Sequence, residues 1–160
     1  MSKWTLVVLV AIAVLAATSI GLVSFVYLFN RTIDLTIATQ VPVAGNWLEM
    51  TPDSPLTKTR RVQEIDLEIS DFIHDVDNRL PPGQIRLPYG KIISPQIEAY
   101  DEAGNRHEFR HSGYTMSTKD LIAYSPVQNL PDNVRLTKIR IRSDEPFVCE
   151  RLFWRNRNPK

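Results

Sequence analysis

The sequence predicts a mainly β protein, one antiparallel β-sandwich or barrel preceded by a single transmembrane helix. Three observations carry this expectation. Trp4 to Phe29 reads WTLVVLVAIAVLAATSIGLVSFVYLF, with no charged residue. After residue 30 the apolar residues recur in short runs of period two, and that period sets alternate side chains on one face of a strand. Proline and turn residues punctuate these runs throughout, as they do in all-β domains.

The uncharged run comes first. A bilayer core is spanned by roughly 20 apolar helical residues, so residues 4–29 are long enough to cross with some tilt. Thr5, Thr18, Ser19 and Ser24 can bond back to helix carbonyls. Trp4 and Tyr27 suit the two interfaces. A cleaved signal peptide has a shorter apolar core ending at a small-x-small site. Here the bulky Phe25-Val26-Tyr27-Leu28-Phe29 occupies that place, so the expectation is an uncleaved anchor over residues 1–31. Lys3 and the chain amine nearly balance Arg31, with Lys58, Arg60 and Arg61 farther off. The very short leader favours a cytoplasmic N-terminus and an extracytoplasmic domain at residues 32–160.

That domain has the length for one core. The single Cys149 excludes an intrachain disulfide and argues against a disulfide-stapled extracellular module. The sequon Asn30-Arg31-Thr32 abuts the membrane. The expected location is therefore a bacterial cell membrane, with the lipid bilayer as first partner. The net charge of +1 gives no reason to expect a nucleic-acid partner.

The elements follow in order. Thr32 to Thr39 (TIDLTIAT) alternates, with Ile33, Leu35 and Ile37 on one face. Gln40 to Thr57 reads as a loop holding Trp47, Leu48 and Met50 under the sheet. Val62 to Ile69 (VQEIDLEI) is the cleanest strand, with Ile65, Leu67 and Ile69 inward and Glu64, Asp66 and Glu68 outward. Asp71 to Lys91 is rich in turns. Ile92 to Tyr100 and Arg106 to His111 form a hairpin around Asp101-Glu102-Ala103-Gly104-Asn105, whose Asp, Gly and Asn favour a turn. Ser117-Thr118-Lys119-Asp120 has the form of a capping box and predicts a helical turn over Leu121 to Tyr124, ended by Pro126. Arg135 to Arg142 (RLTKIRIR) and Phe147 to Trp154 (FVCERLFW) are the last two strands, followed by a frayed tail from Arg155 to Lys160.

Charge is unevenly distributed. The stretch from Glu64 to Asp77 is acidic, with Glu64, Asp66, Glu68, Asp71, Asp75 and Asp77 and no Lys or Arg; Arg135 to Lys160 is strongly basic. Lys138, Arg140 and Arg142 share one face, because Ile139 and Ile141 take the other. Opposite charges on adjacent strands attract, so the strands bearing Glu64, Asp66 and Glu68 and Lys138, Arg140 and Arg142 are expected to be neighbours; the alternatives are two solvated faces that never meet, or a basic strand that faces anionic lipid headgroups or an acidic polymer.

Few residues point to chemistry. His107-Glu108-Phe109-Arg110-His111 matches H-E-x-x-H, which binds zinc only when a helix brings both histidines to one face and the Glu serves as base. Gly104 and Gly113 bracket this run, and a turn signal precedes it. The expectation is two histidines on a strand and no metal. The helical alternative is a zinc metallopeptidase through His107, Glu108 and His111. His74-Asp75-Val76-Asp77 lacks the Gly and terminal Glu of an EF-hand and reads as a solvated acidic loop. Cys149 has no adjacent His and reads as a small core residue. Tyr89, Tyr100, Tyr114, Tyr124, Trp47 and Trp154 are the residues from which a sugar-stacking platform could be built.

Gly90 to Trp154, through IEAYDEAGNRHEF and LTKIRIRSDEPFVCERLFW, resembles galactose-binding-like jelly-roll domains. The resemblance implies a jelly-roll-like sandwich that is commonly non-catalytic and binds carbohydrate or other partners through end loops. Those loop residues vary, so no site residue carries over. The expected function is a membrane-anchored, non-catalytic binding module of the cell envelope, with a protein or glycan partner and no cofactor. A second possibility is an accessory subunit acting through its helix, where Ala16, Ala17, Thr18, Ser19 and Gly21 permit close packing.

Overall fold

The computed structural model describes residues 32–70, 80–81, 83–87, 90–116 and 120–157. The expected anchor at residues 4–29 lies outside the described residues, as do His74–Asp77, Tyr89 and Ser117–Lys119. Among the described residues there is no α-helix, and so none long enough to cross a membrane.

Eleven strands are formed: β1 (Ile33–Val43), β2 (Leu48–Met50), β3 (Leu56–Thr57), β4 (Val62–Glu68), β5 (Ile85–Arg86), β6 (Ile92–Ile93), β7 (Gln96–Asp101), β8 (Arg106–Met116), β9 (Asp120–Pro126), β10 (Arg135–Arg142) and β11 (Phe147–Arg157). One antiparallel sheet runs β1-β11-β4-β9-β8-β7-β10-β2, with β3 also on β10; β5 and β6 form a separate small hairpin. The sheet curls until its end strands β1 and β2 touch, giving a nearly closed, barrel-like β fold. Leaving out β3, β5 and β6, first pairs with last (β1–β11), second with seventh (β2–β10), third with sixth (β4–β9) and fourth with fifth (β7–β8). That is the pairing of one long hairpin rolled up on itself.

A single core fills the interior. Ile65 and Leu67 of β4, Ile122 and Tyr124 of β9, Ile139 and Ile141 of β10, and Leu152 and Trp154 of β11 are all at most 1% exposed. Ile85, Leu87 and Ile93 place the small hairpin in the same cluster. The Trp154 ring meets Phe109 edge-on at 6.3 Å and donates its indole N–H to the Thr57 carbonyl at 3.3 Å, so its one polar group is satisfied. The Asp101–Asn105 turn forms as expected. Gly104 takes φ +83°, which glycine adopts without the steric penalty of a side chain, and the Asp101 carboxylate accepts bonds from the Ala103 and Asn105 amides.

Several elements differ from expectation. Leu121–Tyr124 is part of β9 rather than a helical turn. It lies between β4 and β8, so its whole apolar run LIAY is buried on both faces, and such a run carries no period to tell strand from helix. β1 continues to Val43, and the expected loop after it contributes β2 and β3. Ser94-Pro95 divides the expected Ile92–Tyr100 strand into β6 and β7. The tail is not frayed at its start: Arg155–Arg157 belong to β11, and Asn156 is buried, donating to the Thr57 carbonyl.

The charged strands also pair differently. β4 lies between β11 and β9, whereas β10 lies between β7 and β2. The two expected neighbours are therefore in different halves of the fold.

Candidate functional site

The histidine pair sits on β8 in extended conformation. His107 stands opposite Ala99, Phe109 opposite Ile97, and His111 opposite Tyr124. These three partners are buried, so both histidines are on the inward-facing side of the strand. Glu108 stands opposite Glu98 on the other side and is ion-paired to Arg106. Four strand steps separate the two histidines by about 13 Å. Each has its own local role. His107 Nε2 lies 3.2 Å from Asp101 Oδ2. The Asp101 carboxyl is held down to about 2, first by the Asn105 side-chain amide and also by His107. His111 packs edge-on against Tyr124 at 5.9 Å, and burial lowers its pKa. Among the described residues no group of three or more His, Cys, Asp or Glu is arranged to hold a metal ion. Cys149 is fully buried, its thiol pushed up to about 12 chiefly by burial.

Of the six aromatics, the four whose side chains are described divide. Tyr124 and Trp154 are core residues. Trp47 and Tyr100 lie on the outer surface of the β7–β10–β2 half, where Arg140 joins them. Its guanidinium carbon is 4.9 Å from the Trp47 ring centroid and 5.8 Å from that of Tyr100. The same guanidinium donates to the Tyr100 hydroxyl at 3.1 Å, and that hydroxyl donates to Glu98 at 3.0 Å. Arg142 lies over Trp47 as well, at 4.6 Å.

Strand register orders this surface into rows. In one row Arg140 stands opposite Glu98 on one side and Glu49 on the other, and Glu98 stands opposite Glu108. The row is internally compensated, since Arg106 pairs with both Glu98 and Glu108 and Lys138 pairs with Glu49 at 3.0 Å. In the next row Arg142 stands opposite Gln96 and donates two bonds to its Oε1, at 2.9 and 2.8 Å. Extending the register by one residue sets Arg110 opposite Gln96 and Trp47 opposite Arg142. A cleft of about 390 Å³ opens beside this row, lined by Trp47, Gln96, Glu98, Glu108 and Arg110 together with inward-facing residues such as His111 and Phe109; Arg142 is not part of that lining.

The opposite half treats its charges differently. On β4, Glu64, Asp66 and Glu68 are on the side away from the core, as the alternation requires, yet they are 6%, 0% and 5% exposed. β11 supplies their partners. Arg157 bonds Glu64 through two nitrogens at 3.0 and 3.1 Å, Arg155 reaches Asp66 at 2.6 Å, and Arg151 reaches Glu68 at 2.9 Å. Arg155 also holds Asp34 of β1 at 3.1 Å, and the Phe153 ring lies between Arg151 and Arg155, at 4.5 and 5.0 Å. Burial pushes the Asp66 carboxyl up to about 7, with Arg155 opposing and Glu64 and Asp34 adding to the rise. This ladder is an internal fixture of the sheet.

No protein-family model, curated protein or solved structure matches the chain. The site thus stands on its own geometry. Sequence reasoning named Trp47, Tyr100, Arg140 and Arg142, but not Gln96, Glu98, Arg106 or Arg110 as their companions. The alternation in RLTKIRIR was the available signal for one strand; its neighbours become known only from the register.

Proposed function

We propose that this chain is a membrane-anchored, non-catalytic binding module of the bacterial envelope, with its anchor at residues 4–29 and an extracytoplasmic domain that recognises glycan. The nested strand pairing supports reading the barrel-like fold as a jelly roll, in keeping with the galactose-binding-like resemblance. The uncharged run to Phe29 supports the anchor.

One observation carries the binding reading. Arg142, Gln96 and Arg110 stand in a row on adjacent strands, with Trp47 immediately before β2 and under Arg142, beside a cleft of about 390 Å³. An aromatic ring with guanidinium and amide groups offers a sugar both a stacking surface and fixed hydrogen-bond donors, the combination found in specific ligand sites. Strands hold such groups more rigidly than loops do. The experiment is titration of the full-length chain in detergent micelles with envelope glycan fragments, comparing wild type with Trp47→Ala. Binding lost in the variant, with the thermal midpoint nearly unchanged, is the expected result. Equal binding by the two would remove the platform from the account.

A further inference from the structure

Charge pairing across the platform narrows the ligand. The carboxylates that line the cleft, Glu98 and Glu108, are both satisfied by Arg106, and Arg140 lies 4.0 Å from Glu98. Among the described residues the guanidiniums of the neighbouring row have no such partner. Arg142 bonds only the neutral amide of Gln96 and the Trp47 ring, and Arg110, exposed at the cleft wall, has no acidic partner among the described residues. Adjacent strands lie about 4.8 Å apart. Arg110 and Arg142 therefore flank Gln96 from two strands roughly 10 Å apart, with both side chains on the same surface.

We infer that an anionic sugar binds where the cleft meets the Trp47 row, its ring laid against Trp47 and its acid group held by Arg110 of the cleft wall and by Arg142, which lies outside the lining but stacks on Trp47 and bonds Gln96. This rests on the glycan-binding reading above and specifies its ligand. Guanidinium is suited to the task, because its planar fork of donors matches carboxylate and phosphate oxygens. Gln96 adds a neutral donor between the two cations once its oxygen is occupied by Arg142. The charge is placed where a ligand can use it, since the other cations of this surface, Arg106, Lys138 and Arg140, already face Glu98, Glu108 or Glu49. Carboxylated and phosphorylated sugars share this chemistry.

The test is calorimetric titration of the full-length chain in micelles with three probes of equal length: an oligogalacturonate, its methyl ester, and a phosphorylated oligohexose. The ester keeps the sugar and removes the charge. The expected result is that at least one acidic probe binds, with the ester weaker by about tenfold or more, the scale of one charge-assisted hydrogen bond. The tighter acidic probe identifies carboxylate or phosphate as the natural group. Arg142→Gln and Arg110→Gln should each lower that affinity and flatten its salt dependence. Lys138→Gln, which removes a cation already paired with Glu49, should leave it unchanged. Ester binding within twofold of the acids overturns the inference while leaving the glycan reading intact, as does undiminished acid binding by the Arg110→Gln/Arg142→Gln double variant. Failure of all three probes to bind overturns both.

Discussion

The two halves of the sheet carry similar numbers of charged side chains on their outer faces and put them to opposite uses. On the β1-β11-β4 half every acid of β4 meets an arginine of β11, and the carboxylates are nearly or wholly inaccessible. On the β7-β10-β2 half most charges stay accessible, Glu98 excepted, and one row retains two arginines without acidic partners among the described residues. The difference lies in neighbours rather than composition. β4 places an acid at alternate positions, and β11 answers it from the adjacent strand. β10 places a cation at alternate positions, and β7 answers with Glu98 at one of them and neutral Gln96 at the next. A charge matched by its neighbour fixes register; an unmatched one is available to something else.

The largest expected effect follows from the buried half. Arg155 joins Asp34, Asp66 and the Phe153 ring. Arg155→Ala leaves Asp66 without its closest cation at 0% exposure, and breaking a buried pair this way costs about 3–5 kcal/mol. Urea unfolding at pH 8 measures it. Adding Asp66→Asn should recover much of the loss, because it removes the stranded charge. A single variant as stable as wild type would show the ladder to be decorative.

A smaller effect appears with pH. The folded pKa of Asp66 is about 7, against an ordinary value of 3.8. The folded state holds this proton more tightly, so the contribution of Asp66 to stability is fully present below its ordinary value and is lost as pH rises through about 7. His111 acts in the other direction: its pKa is lowered by burial, so it weakens the fold as pH drops below the unfolded value of about 6.5. Between pH 8 and 6.5 Asp66 should add on the order of 1 kcal/mol to stability by linkage, partly offset by His111, and the difference between wild type and Asp66→Asn isolates its share. Thermal melts at the two pH values provide the measurement. Asp66→Asn should abolish the gain, and a slope that persists in that variant would place its origin elsewhere.

Much of the β fold was legible because alternation is a local property. Val62–Ile69 and Arg135–Arg142 alternate cleanly and became β4 (Val62–Glu68) and β10 (Arg135–Arg142). Leu121–Tyr124 was misread because a strand buried on both faces has no polar side to mark its period. The tail was misread because Arg155 and Arg157 look solvent-exposed until Asp66 and Glu64 are set beside them. The site was half legible for the same reason. Arg140 and Arg142 were visible as one face of a strand, but Gln96 and Arg110 come from the other side of a turn and from a third strand. Arg142 meets Gln96 from 46 residues away and Trp47 from farther still along the chain, which no local pattern encodes.

The contrast between the two faces can be tested in one measurement. Amide NMR spectra of the full-length chain in micelles, recorded during titration with an oligogalacturonate, report on both faces at once. The account predicts shifts at Trp47, Gln96, Arg110 and Arg142, with Asp34, Asp66 and Arg155 unmoved. Shifts confined to the β4–β11 ladder, with the Trp47 row silent, would contradict it.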